Sequence, residues 1–117
     1  MIKKLYPLFL MAFLLWSPFL TAQEKIKFVP GTQDIPLMDG LTPVPDGVLY
    51  FDSILGSIVE TSLISQLPPA TILAYYDEHL PTLGWVKINS GQYQREDDRL
   101  NILFDDAIIR FHLTIQR

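Results

Sequence analysis

Alternation of apolar and polar residues from Ile109 to Gln116, within the segment IIRFHLTIQ at 108–116, is the feature that most constrains the fold. The apolar positions are Ile109, Phe111, Leu113 and Ile115, and the polar positions between them are Arg110, His112, Thr114 and Gln116. Successive side chains of a β-strand point to opposite faces of its sheet, so this pattern predicts a strand with one buried and one wet face. Half-buried strands of this kind are typical of antiparallel sheets.

Four other segments predict strands of the same sheet. Residues 48–52 and 56–65 are rich in β-branched and aromatic residues and precede a Pro-Pro pair. Residues 85–96, with Ser90-Gly91 as a bulge or bend, and residues 99–104 come before the last strand. The connections at Asp97-Asp98 and Asp105-Asp106 are short, and tight turns of this length pair neighbouring strands antiparallel.

A single helix is predicted between the second and third strands. Its apolar residues recur at steps of three and four, which places them on one stripe: Ile72, Leu73, Tyr76, Leu80 and Leu83. Pro68-Pro69 suits the start of the helix, because the N–H that proline lacks would have no acceptor within the helix there. Gly84 suits the end of the helix. The predicted fold is therefore α+β, in the order β-β-α-β-β-β, with one helix packed on one face of a small antiparallel sheet.

The first 22 residues have the layout of a secretory signal peptide. Lys3 and Lys4 precede an apolar run from Leu5 to Leu20 that Pro18 interrupts, and cleavage is predicted after Ala22. An uncleaved membrane anchor is the alternative, although the run of about 16 residues is shorter than the roughly 20 that a spanning helix needs. The predicted location is the periplasm or the outside of the cell, with membrane association only through an uncleaved signal segment.

The predicted domains are the signal peptide at 1–22, an N-terminal arm at 23–47 and an α+β domain at 48–117. The arm is rich in proline and glycine, which disfavour a long helix or a central strand. It also holds apolar residues that suit docking on the edge of a core: Ile35, Leu37, Met38 and Leu41.

Charge and cysteine content exclude several classes of function. The net charge is −4 and becomes more negative once Lys3 and Lys4 are removed, which disfavours binding to nucleic acid or to an anionic membrane surface. The chain has no cysteine, which excludes thiolate zinc sites, disulfides and a lipoprotein anchored through an acylated cysteine. No cofactor and no metal site are predicted.

The row Asp77-Glu78-His79 is the first candidate for a catalytic or metal site. Adjacent residues of a helix lie about 100° apart, so the three side chains diverge and cannot bind one ion. A helical metal pair needs a spacing of three or four residues, as in H-E-x-x-H, and no second histidine is that close. We therefore interpret this row as a solvated helix face. The carboxylates of residues 96–98 and 105–106 lack the spacing of a calcium loop and are interpreted as turn residues.

The polar face of the last strand is the candidate partner-binding surface. Arg110, His112 and Thr114 line it, and Asn101 is expected to join them from the preceding strand. An ordinary wet sheet face is the alternative interpretation. No catalytic residue is predicted, because the chain contains no G-x-S-x-G, phosphate loop or G-x-G-x-x-G.

Four segments carry a resemblance to a family: DIPLMDGL, LYFDSILGSIVET, ILAYYDEHLPTLGW and YQREDDRLNILF. The chain resembles small exported proteins of Gram-negative bacteria in which a helix ending in LPxLGW precedes a short β-meander. The likeness spans most of residues 34–117. It implies a periplasmic location and this fold, and it carries over no catalytic residues.

Two classes of function follow. The first is a non-catalytic periplasmic binding or adaptor module that captures an unknown periplasmic or envelope protein through its sheet face or an edge strand. The second is a small periplasmic hydrolase or lyase that uses a carboxylate–histidine pair assembled across the fold. The absence of a recognisable catalytic spacing favours the first.

Overall fold

A computed structural model describes residues 27–116, so the predicted signal peptide lies outside the described residues. The elements are β1 (Thr42–Ser53), β2 (Gly56–Ile64), α1 (Pro69–His79), a 3-10 helix (Leu80–Leu83), β3 (Val86–Asn89), β4 (Gln92–Arg95), β5 (Asp98–Asp105) and β6 (Ile108–Gln116). The six strands form one antiparallel sheet in the order β1-β2-β6-β5-β4-β3. The prediction of a small α+β fold with one α-helix is confirmed.

The number of strands differs from the prediction of five. Residues 85–96 form two strands, β3 and β4, and Ser90-Gly91 is the turn between them rather than a bulge. Gly91 has a φ of +72°, and a Cβ atom there would lie 2.9 Å from the carbonyl oxygen of Ile102. The turn needs glycine for both reasons, so a hairpin forms where a single bent strand was expected.

The register of β6 connects the two halves of the chain. β6 lies between β5, its neighbour in sequence, and β2, with Val59 opposite Leu113 and Leu63 opposite Ile109. The chain between β2 and β3 must therefore cross the sheet, and α1 makes that crossing. This pairing of distant segments places the alternating last strand near the middle of the sheet.

Helix α1 packs on one face of the sheet through the predicted stripe. Ile72, Tyr76 and Leu80 are fully buried, and the ring of Tyr76 meets that of Phe111 edge to face with 5.1 Å between centroids. Pro69 occupies the first turn, as predicted. Gly84 follows the 3-10 helix in a left-handed conformation with a φ of +93°, so the predicted stop at this glycine is confirmed.

Residues 27–41 cover the part of the same face that lies over β1 and β2. Val29, Ile35 and Leu41 are buried in the core. A Cβ atom on Gly31 would lie 2.8 Å from Val59 and 3.0 Å from Val48, which shows how closely this segment lies against the two strands. We call residues 27–41 the arm segment. The arm segment and α1 together form the second layer of the fold.

Strand β1 begins earlier than the predicted start at Val48. It includes Pro43 and Pro45, and its register with β2 shifts between Pro43 and Val48. Proline is tolerated here because β1 is an edge strand, and none of residues 27–116 forms a strand on its outer side. The expectation that this region avoids a central strand is consistent with that position.

Candidate partner-binding face

The sheet face that points away from α1 carries the residues predicted for partner binding. Ile109, Phe111 and Leu113 of β6 are buried against the helix layer. The intervening residues Arg110 and His112, like Thr114, therefore point to the opposite side and are partly exposed. We call this side of the sheet the outer face.

The strand register arranges the outer face in three rows across β2, β6 and β5. The first row contains Ser62, Arg110 and Leu103, the second contains Glu60, His112 and Asn101, and the third contains Ile58, Thr114 and Arg99. The three predicted residues thus lie side by side along β6, and Asn101 joins them as expected. Residues directly opposite each other are about 4.5–5.5 Å apart at Cβ, so each row is a set of touching side chains.

Glu60 is the acidic residue of the outer face and was not predicted from the sequence. Its Oε2 lies 3.0 Å from Nδ1 of His112, and the two side chains are 29% and 30% exposed. The sequence carries a signal for it, since Ile58, Glu60 and Ser62 occupy alternate positions of β2. The pairing of β2 with β6 is what places these three positions on the outer face.

Arg110 has a looser partner on the same face. Its guanidinium nitrogen Nη1 lies 3.8 Å from the Asp105 carboxylate, and both groups are well exposed. An exposed ion pair of this length contributes about 0–1 kcal/mol to stability. The guanidinium of Arg110 is therefore free to bind another acceptor with little cost to the fold.

An open polar depression lies next to the third row. Gln94, Asp97, Arg99 and Gln116 line it, close to the turn between β4 and β5. His112 and Glu60 do not line this depression, so the structure does not enclose the histidine–carboxylate pair there.

The structure separates the three residues of the Asp77-Glu78-His79 row. Asp77 accepts a hydrogen bond from the Tyr93 hydroxyl, and Nζ of Lys87 lies 3.0 Å from its other oxygen. Glu78 is exposed, and the His79 ring stacks on the ring of Tyr75 with 4.0 Å between centroids. The prediction of a solvated face is right for Glu78 and wrong for Asp77, which connects the helix to the sheet.

The contact between helix and sheet perturbs the pKa values of three of its groups. The hydrogen bond from Tyr93 holds the pKa of Asp77 below its usual value, with a further contribution from Lys87. Burial, followed by the Asp77 carboxylate, raises the pKa of Tyr93. Burial likewise raises the pKa of Tyr76. These shifts reflect packing and internal hydrogen bonds, which perturb pKa values without any catalytic role.

Trp85 and Arg95 close the end of the helix layer. The Trp85 ring is buried, and the Arg95 guanidinium lies 4.4 Å from the centre of that ring. Arg95 also bonds the Asp34 carboxylate at 2.7 Å and the Leu83 carbonyl at 3.1 Å. Within the described residues, the indole Nε1–H of Trp85 has no acceptor.

Comparison with protein families, with curated proteins and with solved structures found no match. Among residues 27–116, no group of three or more His, Asp or Glu side chains is arranged to hold a metal ion. In the same part of the chain, no helix is long and apolar enough to cross a membrane.

Proposed function

We propose that this protein is an exported, non-catalytic binding or adaptor module that captures a protein of the bacterial envelope through its outer face. The observation that carries the proposal is the position of Arg110, His112 and Thr114 in adjacent rows of a sheet face that α1 and the arm segment leave bare. Placement in the family of small exported proteins that the sequence resembles is part of the same proposal.

The chemistry of the outer face suits recognition of a polar protein surface. Arg110 offers a guanidinium that can bind a carboxylate, while Thr114 and Asn101 offer groups that both donate and accept hydrogen bonds. Leu103, which is exposed beside Arg110, adds apolar area. An interface commonly combines a few charged or aromatic anchors with surrounding apolar area of this kind.

The bond between Glu60 and His112 favours the hydrolase or lyase as a second candidate. A carboxylate on Nδ1 of a histidine orients the ring and leaves Nε2 available as a base. The pair lies on an open sheet face, however, and a catalytic site normally excludes water from its reacting groups. The binding module therefore has the better support.

The test of the binding proposal is a variant in which Arg110, His112 and Thr114 are all replaced by serine. Substitution of accessible polar residues usually changes the free energy of unfolding by less than about 0.5 kcal/mol each, so we expect the variant to fold with a melting temperature lowered by several degrees at most. Cross-linking in intact cells should recover much less partner than with the wild-type chain. Serine at Gln66, Thr71 and Glu78, three exposed positions outside the outer face, serves as the matched control.

Two results would decide against binding by this face. Retained cross-linking at wild-type yield would show that the partner contacts another surface. An activity on ester, amide or glycoside substrates that disappears in both His112→Asn and Glu60→Gln, while the fold persists, would establish the enzyme instead.

Export is proposed together with cleavage after Ala22. Intact-mass measurement on protein recovered from the periplasmic fraction should give the mass of a chain that begins at Gln23. A full-length chain in the membrane fraction would contradict a released periplasmic module.

A further inference from the structure

The two edges of the sheet differ in how they are protected against pairing with another strand. Edge strands in monomeric proteins are commonly short, charged, bulged or interrupted by proline. β3 is four residues long, carries Lys87 and has an irregular register with β4. The first half of β1 is protected too, by Pro43, Pro45 and the register shift that follows them.

The next part of β1, residues 48–51, lacks these protections, and Asp52 is the first charged residue after it. The side chains of this part are apolar on both faces of the sheet, with Leu49, Tyr50 and Phe51 exposed to 51%, 68% and 60%. The register places Leu49 opposite Glu60 and Phe51 opposite Ile58, and both partners lie on the outer face. Leu49 and Phe51 therefore lie on the outer face too, and Tyr50 lies on the face that carries α1. An apolar edge that is open on both faces is suited to accept one more β-strand.

We propose that residues 48–52 of β1 pair antiparallel with the same residues of a second copy, about a two-fold axis at Tyr50. In this register Tyr50 lies opposite Tyr50, and Leu49 of each copy lies opposite Phe51 of the other. Opposed residues of an antiparallel pair share a face, so the apolar side chains of the outer face meet one another and the tyrosines meet on the other side.

Charge and symmetry favour a second copy as the occupant. Asp52 lies opposite Val48 of the other copy, so the two Asp52 carboxylates are four residues apart, or about 13 Å along the strands. That separation exceeds the Debye length of about 8 Å at physiological ionic strength, so the acidic charge of the chain does not oppose pairing strongly. A two-fold contact is also closed, since the edge that remains free in each copy is the protected β3.

The expected dimer is weak. Each copy contributes three large side chains that are already partly covered, and the total buried area falls near or below the lower limit of about 1,200 Å² for stable complexes. A two-fold axis perpendicular to the sheet would also place both outer faces on the same side. The pair would then present two copies of the stripe of Arg110, His112 and Thr114, although pairing itself does not depend on the proposed binding function.

The absence of cysteine from the chain allows a direct test of the register. The full sequence is expressed, the protein is purified as the cell delivers it, and Tyr50→Cys is oxidised at a high protein concentration, where the weak dimer is populated. Tyr50→Cys should form a disulfide-linked dimer in high yield, because opposed Cβ atoms lie about 4.5–5.5 Å apart. Ile54→Cys, on the turn after β1 and 93% exposed, is the matched control and should cross-link only at the rate of random collisions. Equal yields from the two variants would overturn the proposed pairing.

Sedimentation velocity tests the same contact without a covalent link. The wild-type chain should shift from monomer to dimer between about 1 µM and about 1 mM, the range of dissociation constants expected of a weak interface. Leu49→Lys combined with Phe51→Lys should abolish the shift, whereas Val86→Lys on the exposed part of β3 should leave it intact. A wild-type chain that stays monomeric across this range would overturn the proposal. So would a monomeric chain that sediments with phosphatidylcholine vesicles, because the apolar edge would then bind lipid rather than a second copy. Because the serine variant of the outer face should still dimerise, failure of one proposal is distinguishable from failure of the other.

Discussion

The carboxylate of Asp77 on helix α1 accepts a hydrogen bond of 2.6 Å from the hydroxyl of Tyr93 on strand β4. The tyrosine ring is fully buried, and the bond joins the helix layer to the sheet near the sheet edge. Lys87 of β3 binds the other oxygen of the same carboxylate. One helix residue thus connects to both strands at this end of the sheet.

Loss of this bond should destabilise the fold. We expect Asp77→Ala to lower the free energy of unfolding by about 1–3 kcal/mol, the cost of leaving a largely buried hydroxyl without its acceptor. Denaturant unfolding of Asp77→Ala, Tyr93→Phe and the double variant should show strong coupling, with the double variant less destabilised than the sum of the single changes. Glu78→Ala, one residue along on the exposed side, is the control and should be nearly neutral. Additive effects would show that the bond contributes little.

The contribution of Asp77 should also depend on pH. Its pKa in the folded protein lies below the usual value near 3.8, so its ionised form is favoured by folding. The resulting stabilisation is complete above the unfolded-state pKa and is lost as the pH falls through the lower, folded-state pKa. The difference in unfolding free energy between wild type and Asp77→Asn should therefore be constant near neutral pH and shrink below about pH 4. A difference that persists unchanged to pH 2 would contradict this account.

The hydroxyl of Tyr76 should hold the arm segment on the domain. It donates a 2.7 Å hydrogen bond to the Pro36 carbonyl and accepts one of 3.2 Å from the Met38 N–H. Tyr76→Phe leaves both backbone groups without this partner, so we expect a loss of about 1–3 kcal/mol. Hydrogen exchange should accelerate first in residues 35–41, with Tyr75→Phe as the control. Exchange that accelerates equally throughout the sheet would contradict a local role.

Truncation of the large aromatic side chains in the core should approach unfolding. Trp85 and Phe111 are both almost fully buried, and replacement of such rings by alanine costs about 3–5 kcal/mol. A domain of this size has roughly 5–10 kcal/mol of stability in total, so thermal melting should move to much lower temperature or disappear. Val86→Ala, an exposed position directly after Trp85, should change little. A small effect at Trp85 would mean that the ring is less important to packing than its burial indicates.

Elements with a strong local pattern could be read from the sequence. The alternation in residues 108–116 places Ile109, Phe111 and Leu113 on one side because a strand has a period of two whatever it pairs with. The helix stripe through Ile72, Tyr76 and Leu80 likewise follows from helical geometry alone. Gly84 ends that helix because glycine adopts positive φ without a steric cost.

Features that depend on contacts between distant segments could not be read in this way. Glu60 meets His112 only because β2 pairs with β6, and nothing near either residue specifies that pairing. The helical divergence of Asp77, Glu78 and His79 predicts a solvated face, but it carries no information on a hydrogen bond to Tyr93 from a distant strand. The sequence predicts a bulge or bend at Ser90-Gly91, because a glycine within a strand pattern is compatible with a bulge and with a hairpin turn. The close packing of Gly91 against Ile102 distinguishes the two.

By itself, the sequence determined the local conformations of this protein: period-two strands, one helix with proline at its start and glycine at its end, and short turns that make neighbours antiparallel. The tertiary structure decided which segments meet, and with it the composition of the outer face, the bare edge of β1 and the bond between Asp77 and Tyr93. The physical reason is that backbone preferences act over a few residues. Pairing between distant strands is instead selected by the combined burial of many side chains, which no single segment encodes.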